Sequence, residues 1–175
     1  MSRIRMNSAA RPTELTKKQR SSWQRVFKSN DPFANPFQET IESRMLMYPT
    51  YGFHLDEEQF RALMLTMNDI EVDRFFISVV EHSGDFLSDG EHWLCSYPTY
   101  RQYLSIPLVL ENTMLAEDGS FGLMISHEDH ALVGGTFDFI DCLKARYARW
   151  RKDQSLMVSE WDEDVSGPII SSLVK

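Results

Sequence analysis

An Asp-Gly pair between two apolar runs constrains the fold of this chain more than any other local feature. Asp118 and Gly119 separate the run Leu108–Met114 from the run Phe121–Ser126. Such a pair favours the tight turn of a β-hairpin, because aspartate and glycine tolerate the backbone angles that this turn requires. We therefore predict two neighbouring antiparallel strands here.

The rest of the chain alternates between short strand-like runs and helical patterns. Apolar and β-branched residues predict further strands over 43–53, 74–81 and 131–133, although a short helix over 40–47 competes with the first. Apolar residues at helical spacing predict helices near 14–28, 56–68 and 136–152. At 175 residues the chain has the length of one domain. We expect an α+β single domain, with a mostly antiparallel sheet of about five strands packed against two to three helices.

Residues that cap helices support the three predicted helix starts. Thr16 and Gln19 have the spacing of a capping box, and Thr136 precedes the last helical pattern. The acidic residues at 56–58 suit the positive end of a helix dipole. Residues up to Arg11 are expected to be mobile, 83–99 to be a long polar loop, and the tail beyond 152 to be a docked extension or partly disordered.

The net charge of −8 hides a strong asymmetry. Residues 1–30 hold eight Lys or Arg and one acidic residue, whereas 31–141 hold four basic and 20 acidic residues. We therefore divide the chain into a basic N-terminal arm with a short helix (1–30) and an acidic globular α/β domain (31–175). An acidic body repels nucleic acid and attracts cationic partners. We expect the arm to dock across the body through Trp23 and Phe27.

Two groups of residues are candidates for a catalytic or metal site. His127 and His130 are three residues apart, whereas the zinc signature HExxH places its histidines four apart, so the motif fails on spacing. Either histidine can still join His82, His92 or an aspartate around a metal. His92 and Cys95 can form a thiol–imidazole pair, but a packed thiol is favoured. We predict no metal, no cofactor and no small-molecule substrate.

Acidic residues in the predicted loops lie close in sequence to large aromatic residues. Aromatic side chains anchor protein interfaces, and crowded carboxylates select a cationic partner. Each acidic residue alone is better explained as part of a solvated surface, but the group together favours a protein-binding surface. The predicted partner-binding residues are Asp85, Asp89, Glu91, Trp93, Tyr97, Glu117, Asp118, Glu128 and Asp129.

The segment from Asp85 to Ile140 is similar to small bacterial immunity proteins of polymorphic-toxin and contact-dependent growth inhibition systems. The likeness lies in the stretch DGEHWLCSYPTY, the strand LVLENTML, the hairpin DGSFGLMISHEDHALVGGT and the helix start FDFI, and covers about a third of the chain. It implies an antitoxin that neutralises a cognate toxin domain, often a basic nuclease, by charge-complementary contact. It assigns no functional residues, and the basic arm departs from a uniformly acidic antitoxin.

These observations lead to one favoured function and two alternatives. We expect a non-enzymatic, cytoplasmic immunity protein that binds a toxin domain and contacts neither membrane nor nucleic acid directly, since no apolar run has the length of a membrane span. The main alternative is a small metal-dependent or hydrolytic enzyme that uses His127 and His130, with His92 or Cys95. A third is a nucleic-acid-associated regulator acting through residues 1–30.

Overall fold

The computed structural model describes residues 10–81 and 84–173. Within these residues it is an α+β fold with one antiparallel sheet of seven strands and with seven helices. The α+β class and the antiparallel sheet are therefore confirmed, but the predicted five strands and two to three helices are too few. The strands are β1 (Arg11–Pro12), β2 (Ser43–Met47), β3 (Phe75–Val79), β4 (His92–Cys95), β5 (Asn112–Ala116), β6 (Phe121–Ile125) and β7 (Ala131–Gly135). The helices are α1 (Lys17–Val26), α2 (Glu57–Asp69), α3 (Phe86–Asp89), α4 (Tyr100–Leu104), α5 (Phe137–Arg146), α6 (Trp150–Glu160) and α7 (Glu163–Ser172).

The strand order is β1-β4-β3-β5-β6-β7-β2, and every neighbouring pair is antiparallel. The predicted hairpin is confirmed: β5 and β6 pair across the Asp118-Gly119 turn, where Gly119 has a φ of 79°. The Gly119 amide donates to the carbonyl of Ala116 at 2.9 Å and closes the turn. The predicted strand over 43–53 ends at Met47, before the cis bond between Tyr48 and Pro49.

Helices cover both faces of the sheet, so the domain has three layers. Side chains alternate between the faces along each strand; in β5, for example, Met114 packs on one face and Leu115 on the other. The first face carries α2, α4 and α5, through residues such as Leu63, Tyr103 and Ile140. The second face carries residues of α1, α3, α6 and α7, such as Trp23, Leu87, Met157 and Ile169.

The predicted caps at Thr16 and Thr136 and the predicted acidic start of the second helix are confirmed, and the second helix also has a capping box that was not predicted. Thr16 and Gln19 form a capping box for α1, Asp56 and Gln59 form one for α2, and Thr136 accepts the amide of Phe139 at the start of α5. The first helix begins at Lys17 rather than near residue 14, because Thr16 is extended and accepts the amide of Gln19.

The predicted helix over 136–152 is wrong in its length. Two helices occupy this stretch, because Tyr147 leaves the helical conformation after α5 and α6 begins at Trp150. The Tyr147 side chain is fully buried, and its hydroxyl donates to the buried carboxylate of Asp153. This buried hydrogen bond joins the start of α6 to the end of α5, and it compensates for the helical hydrogen bonds lost at the break.

The predicted loop over 83–99 is also wrong, since it contains α3 and the strand β4. Alternation places Trp93 and Cys95 in the core of the first face. Arg11, which was expected to be mobile, pairs with β4 at the edge of the sheet together with Pro12, whereas the mobility expected for residues 1–9 lies outside the described residues. At the other end, α6 and α7 are a docked extension, with Met157 and Ile169 in the core. None of the helices described here combines the length and the apolar character that a membrane crossing requires.

The described part of the basic arm, residues 10–30, belongs to the same fold as the acidic body. As expected, the apolar side of α1 docks on the sheet: Trp23, Val26 and Phe27 are buried on the second face. The Trp23 indole donates to the Thr113 hydroxyl in β5 at 3.1 Å. The sheet accommodates this helix at Gly122, where any Cβ would lie 2.6 Å from the Phe27 ring.

Candidate protein-binding edge

The strand register places most of the acidic loops at one end of the sheet. At this end, one row of paired residues crosses five neighbouring strands, and its members are Val79, Asn112, Ile125, Ala131 and Met47. The loop after β2 ends at Asp56, which forms an ion pair with Arg149. The segments that join β3 to β4, precede β5 and join β6 to β7 carry seven further carboxylates at this end, which we call the acidic edge. These are Glu81, Asp85, Asp89, Glu91, Glu111, Glu128 and Asp129.

The nine predicted partner-binding residues do not form one surface. Five of them lie on the acidic edge: Asp85, Asp89, Glu91, Glu128 and Asp129. Glu117, Asp118 and Tyr97 lie at the opposite end of the sheet, beyond the row of Phe75, Cys95, Ala116 and Phe121. Trp93 is only 7% exposed and packs in the core of the first face, so it is not available as an anchor.

At the opposite end, the predicted residues already have partners within the fold. Arg74 forms an ion pair with Glu117 at 2.6 Å, and Asp118 accepts the amide of Ser120 at 2.9 Å. The Tyr97 hydroxyl donates to the carbonyl of Val72. Two open depressions of about 220 and 340 Å³ lie at this end, and both are lined by basic as well as acidic side chains. Three basic and five acidic side chains line these depressions, so the carboxylates there are partly balanced by cations.

The acidic edge is not balanced in this way. In residues 10–81 and 84–173, no Lys or Arg forms an ion pair with any of its seven carboxylates. Among the described residues, Arg20 is the one Lys or Arg that hydrogen bonds connect to this edge, and the connection is indirect: Arg20 donates to the hydroxyl of Ser88, which donates to Asp85. Carboxylates gathered at one end of the sheet attract cations, so the acidic edge favours a cationic partner.

Two apolar side chains stand beside these carboxylates. Tyr51 is 66% exposed and Val109 is 67% exposed, more than the other large apolar side chains that the structure describes. Hydrogen bonds hold their segments together, since the Asn112 amide donates to the carbonyl of Phe53 at 2.9 Å. Asp129 joins the same surface by accepting the Gly52 amide at 3.1 Å. Exposed apolar groups framed by charge are typical of protein interfaces.

A hydrogen-bonded cluster that the sequence analysis missed lies at the centre of the edge. His127 Nδ1 contacts the carboxylate of Glu111, and His127 Nε2 lies 3.1 Å from Oε1 of Glu128. Glu81 is within hydrogen-bonding reach of Glu111. The hydrogen bond with Glu111 raises the pKa of His127 and also raises that of Glu81. The only signal in the sequence was Glu111, an acidic residue inside the apolar run LVLENTML.

The histidines and cysteines weighed as catalytic groups are not assembled into one site. His130 is fully buried and its Nε2 donates to the carbonyl of Pro32 at 2.8 Å, whereas His127 is half-exposed at the edge. His92 and Cys95 point to opposite faces of β4, because they are an odd number of positions apart. Burial raises the pKa of the Cys95 thiol to about 12, so no thiolate is available. His82 lies outside the described residues.

No group of three or more histidine, cysteine or carboxylate side chains in the described part of the chain has the arrangement of a metal site. A scan of protein-family models and searches of curated proteins and of solved structures found no match to this chain. Only the fold and the chemistry of the acidic edge therefore bear on its function.

Proposed function

We propose that this protein is an immunity protein that neutralises a cationic bacterial toxin domain, such as a basic nuclease, by binding it stoichiometrically through the acidic edge. The observation that carries the proposal is the absence of Lys and Arg ion pairs at the seven carboxylates of this edge, among the residues described. No turnover is required, because occupation of the toxin's cationic surface is sufficient to block it.

Electrostatics favour a cationic protein as the partner. Carboxylates gathered on one side of a protein steer cationic partners and raise the rate of encounter, and they repel phosphate. An active-site or substrate-docking surface of a nuclease has to bind phosphate, so it is basic. Side chains such as Asp89, Glu91 and Glu128 can pair with the lysines and arginines of that surface, and compete with its nucleic acid substrate.

Packing supplies the second requirement of a stable complex. Exposed ion pairs contribute only about 0.2–1 kcal/mol each, so charge alone does not give tight binding. Tyr51 and Val109 offer apolar contact area beside the carboxylates, and burying such side chains contributes about 1.5–3 kcal/mol each. The edge therefore has both components of a protein interface, exposed apolar side chains and charged groups.

A matched pair of triple variants tests the proposal. The edge variant carries Asp89→Asn, Glu91→Gln and Glu128→Gln, which remove three charges from exposed side chains. The control carries Glu71→Gln, Asp73→Asn and Asp118→Asn, which remove three charges from exposed side chains near the opposite end. Both variants have the same net charge, so they differ only in where the charge is lost.

A cationic partner is first identified by co-purification with the tagged wild-type protein. Each variant is then co-expressed with that toxin domain, and protection of growth and affinity for the purified toxin are measured. We expect one-to-one binding by the wild type and the control, and roughly tenfold to hundredfold weaker binding by the edge variant at low salt. Equal loss in both variants, or no complex with the toxin at any salt concentration, refutes the proposal.

A further inference from the structure

His127 is held as a cation by the geometry of its two ring nitrogens. Nδ1 faces the carboxylate of Glu111 and Nε2 faces that of Glu128. Nδ1 is hydrogen-bonded to Glu111 and Nε2 lies 3.1 Å from Glu128, so a carboxylate faces each ring nitrogen and favours the doubly protonated ring. An imidazole with two N–H groups is positively charged. His127 is therefore an internal counter-ion in an edge that has no Lys or Arg ion pair among the described residues.

The groups around His127 come from every element that packs against it. Glu111 precedes β5 and is only 8% exposed, Glu81 follows β3, and Glu128 belongs to the same turn as His127. The Phe53 ring lies 6.3 Å from the imidazole, centroid to centroid. His130, at the end of this turn, is buried, and its burial lowers its pKa so that it stays neutral. All the charges that face His127 are therefore negative.

We propose that His127 occupies the position that a lysine or arginine of the partner takes in the complex, so that partner binding at the acidic edge is coupled to release of the His127 proton. This inference rests on the proposed function, since it concerns the same edge. A partner cation placed between Glu111 and Glu128 replaces the charge of the imidazolium. The imidazole then gives its proton to the solvent, and the two carboxylates pair with the partner.

The direction of the pH dependence follows from this exchange. At low pH the protonated His127 neutralises one carboxylate and competes with the partner, whereas at high pH the edge has one more net negative charge. The Glu111 contact raises the pKa of His127, so the change falls above the ordinary histidine range. The pKa of Glu81 is also raised by its contact with Glu111. Loss of the Glu81 proton therefore adds a second increase in negative charge, at lower pH than that of His127. Binding of a cationic partner therefore tightens as pH rises.

The test uses a deca-lysine peptide as the cationic probe and has two readouts. NMR follows the His127 ring resonances from pH 5 to 9 with and without the peptide, and calorimetry measures peptide affinity at pH 6 and pH 8. Because the partner's cation and the His127 proton exclude each other, the affinity follows the unprotonated fraction of His127, which for an ordinary histidine pKa of about 6.5 already rises about fourfold between pH 6 and pH 8. We expect at least about fourfold tighter binding at pH 8 than at pH 6, and a lower His127 pKa in the presence of the peptide.

Three variants make the result specific. His127→Gln removes the competing charge, so binding at pH 6 should rise to about its pH 8 level and the dependence on pH should flatten. Glu111→Gln should return the titration of His127 towards the ordinary histidine range. Asp73→Asn removes a charge at the opposite end of the sheet and should change neither the titration nor the dependence on pH.

The outcomes separate this inference from the proposed function. A His127 pKa in the ordinary range, or peptide binding that is the same at pH 6 and pH 8 in the wild type, overturns the proton coupling while the edge remains a binding surface. Absence of peptide binding to the edge at both pH values overturns the proposed function and this inference together.

Discussion

Gly122 is the position where a single added methyl group tests whether α1 is an integral part of the core. Gly122 lies in β6 beneath the helix, and a Cβ there would meet the Phe27 ring at 2.6 Å and the Val26 side chain at 2.8 Å. Ordinary contacts begin near 3.4 Å, so the Phe27 ring has to move by about 1 Å, and α1 with it. Overpacking of this kind costs about 1–3 kcal/mol.

The free energy of unfolding is measured by urea denaturation of Gly122→Ala. We expect a loss of about 1–3 kcal/mol and a fall in Tm of roughly 2–10 °C for a chain of this size. Phe27→Leu in the same background shortens the clashing side chain, so the double variant should be more stable than the sum of the two single effects predicts. Gly167→Ala is the control, because its Cβ would meet nothing within 4 Å; in α7 it should be neutral or slightly stabilising. A Gly122→Ala stability within about 0.5 kcal/mol of wild type would refute the packing of α1 on the sheet.

Three further predictions concern buried polar groups. Asp153 is 1% exposed and accepts hydrogen bonds from the Tyr48 amide and the Tyr147 hydroxyl, so Asp153→Ala should cost about 2–5 kcal/mol in the same assay; a cost below about 1 kcal/mol contradicts this role. Burial lowers the pKa values of His92 and His130, so below about pH 6.5 the unfolded chain binds more protons than the folded one. The free energy of unfolding should therefore fall as pH drops from 7 to 5. His130→Gln should make this fall less steep, and an unchanged slope would contradict the role of His130. Cys95 is fully buried with its pKa raised to about 12, so iodoacetamide should label the more accessible Cys142 first, and equal labelling of both in the native state contradicts the structure.

Local signals predicted the parts of the fold that depend on neighbouring residues. The Asp118-Gly119 turn, the Thr16 capping box and the Thr136 cap each act within four residues, so their chemistry can be recognised in the sequence alone. The strand β4 was missed because its residues, His92–Cys95, are ordered by pairing with β3 and by burial of Trp93 and Cys95 rather than by a repeating pattern. Likewise, the break at Tyr147 depends on its contact with Asp153.

The sequence predicted a group of exposed carboxylates but not how the fold arranges them. Crowded carboxylates indicated a protein-binding surface, and five of the predicted residues do lie at one end of the sheet. Glu117 and Asp118 are closer in sequence to Glu128 than Asp85 is. The strand order nevertheless places them at the opposite end of the sheet, whereas Asp85 and Glu128 share one end. Glu111 and His127 were missed as a pair, because their contact depends on the pairing of β5 with β6.

Hydrogen–deuterium exchange of the protein alone and in complex with its toxin domain tests the central claim most directly. The account predicts that binding slows exchange at the acidic edge, over 50–54, 85–91, 107–111 and 126–130, and leaves the opposite end at 71–74 and 117–120 unchanged. In the variant with Asp89→Asn, Glu91→Gln and Glu128→Gln, addition of the toxin domain should no longer slow exchange in these segments. Protection confined to 117–120 or to the outer side of α1, with no change at the acidic edge, would contradict the account.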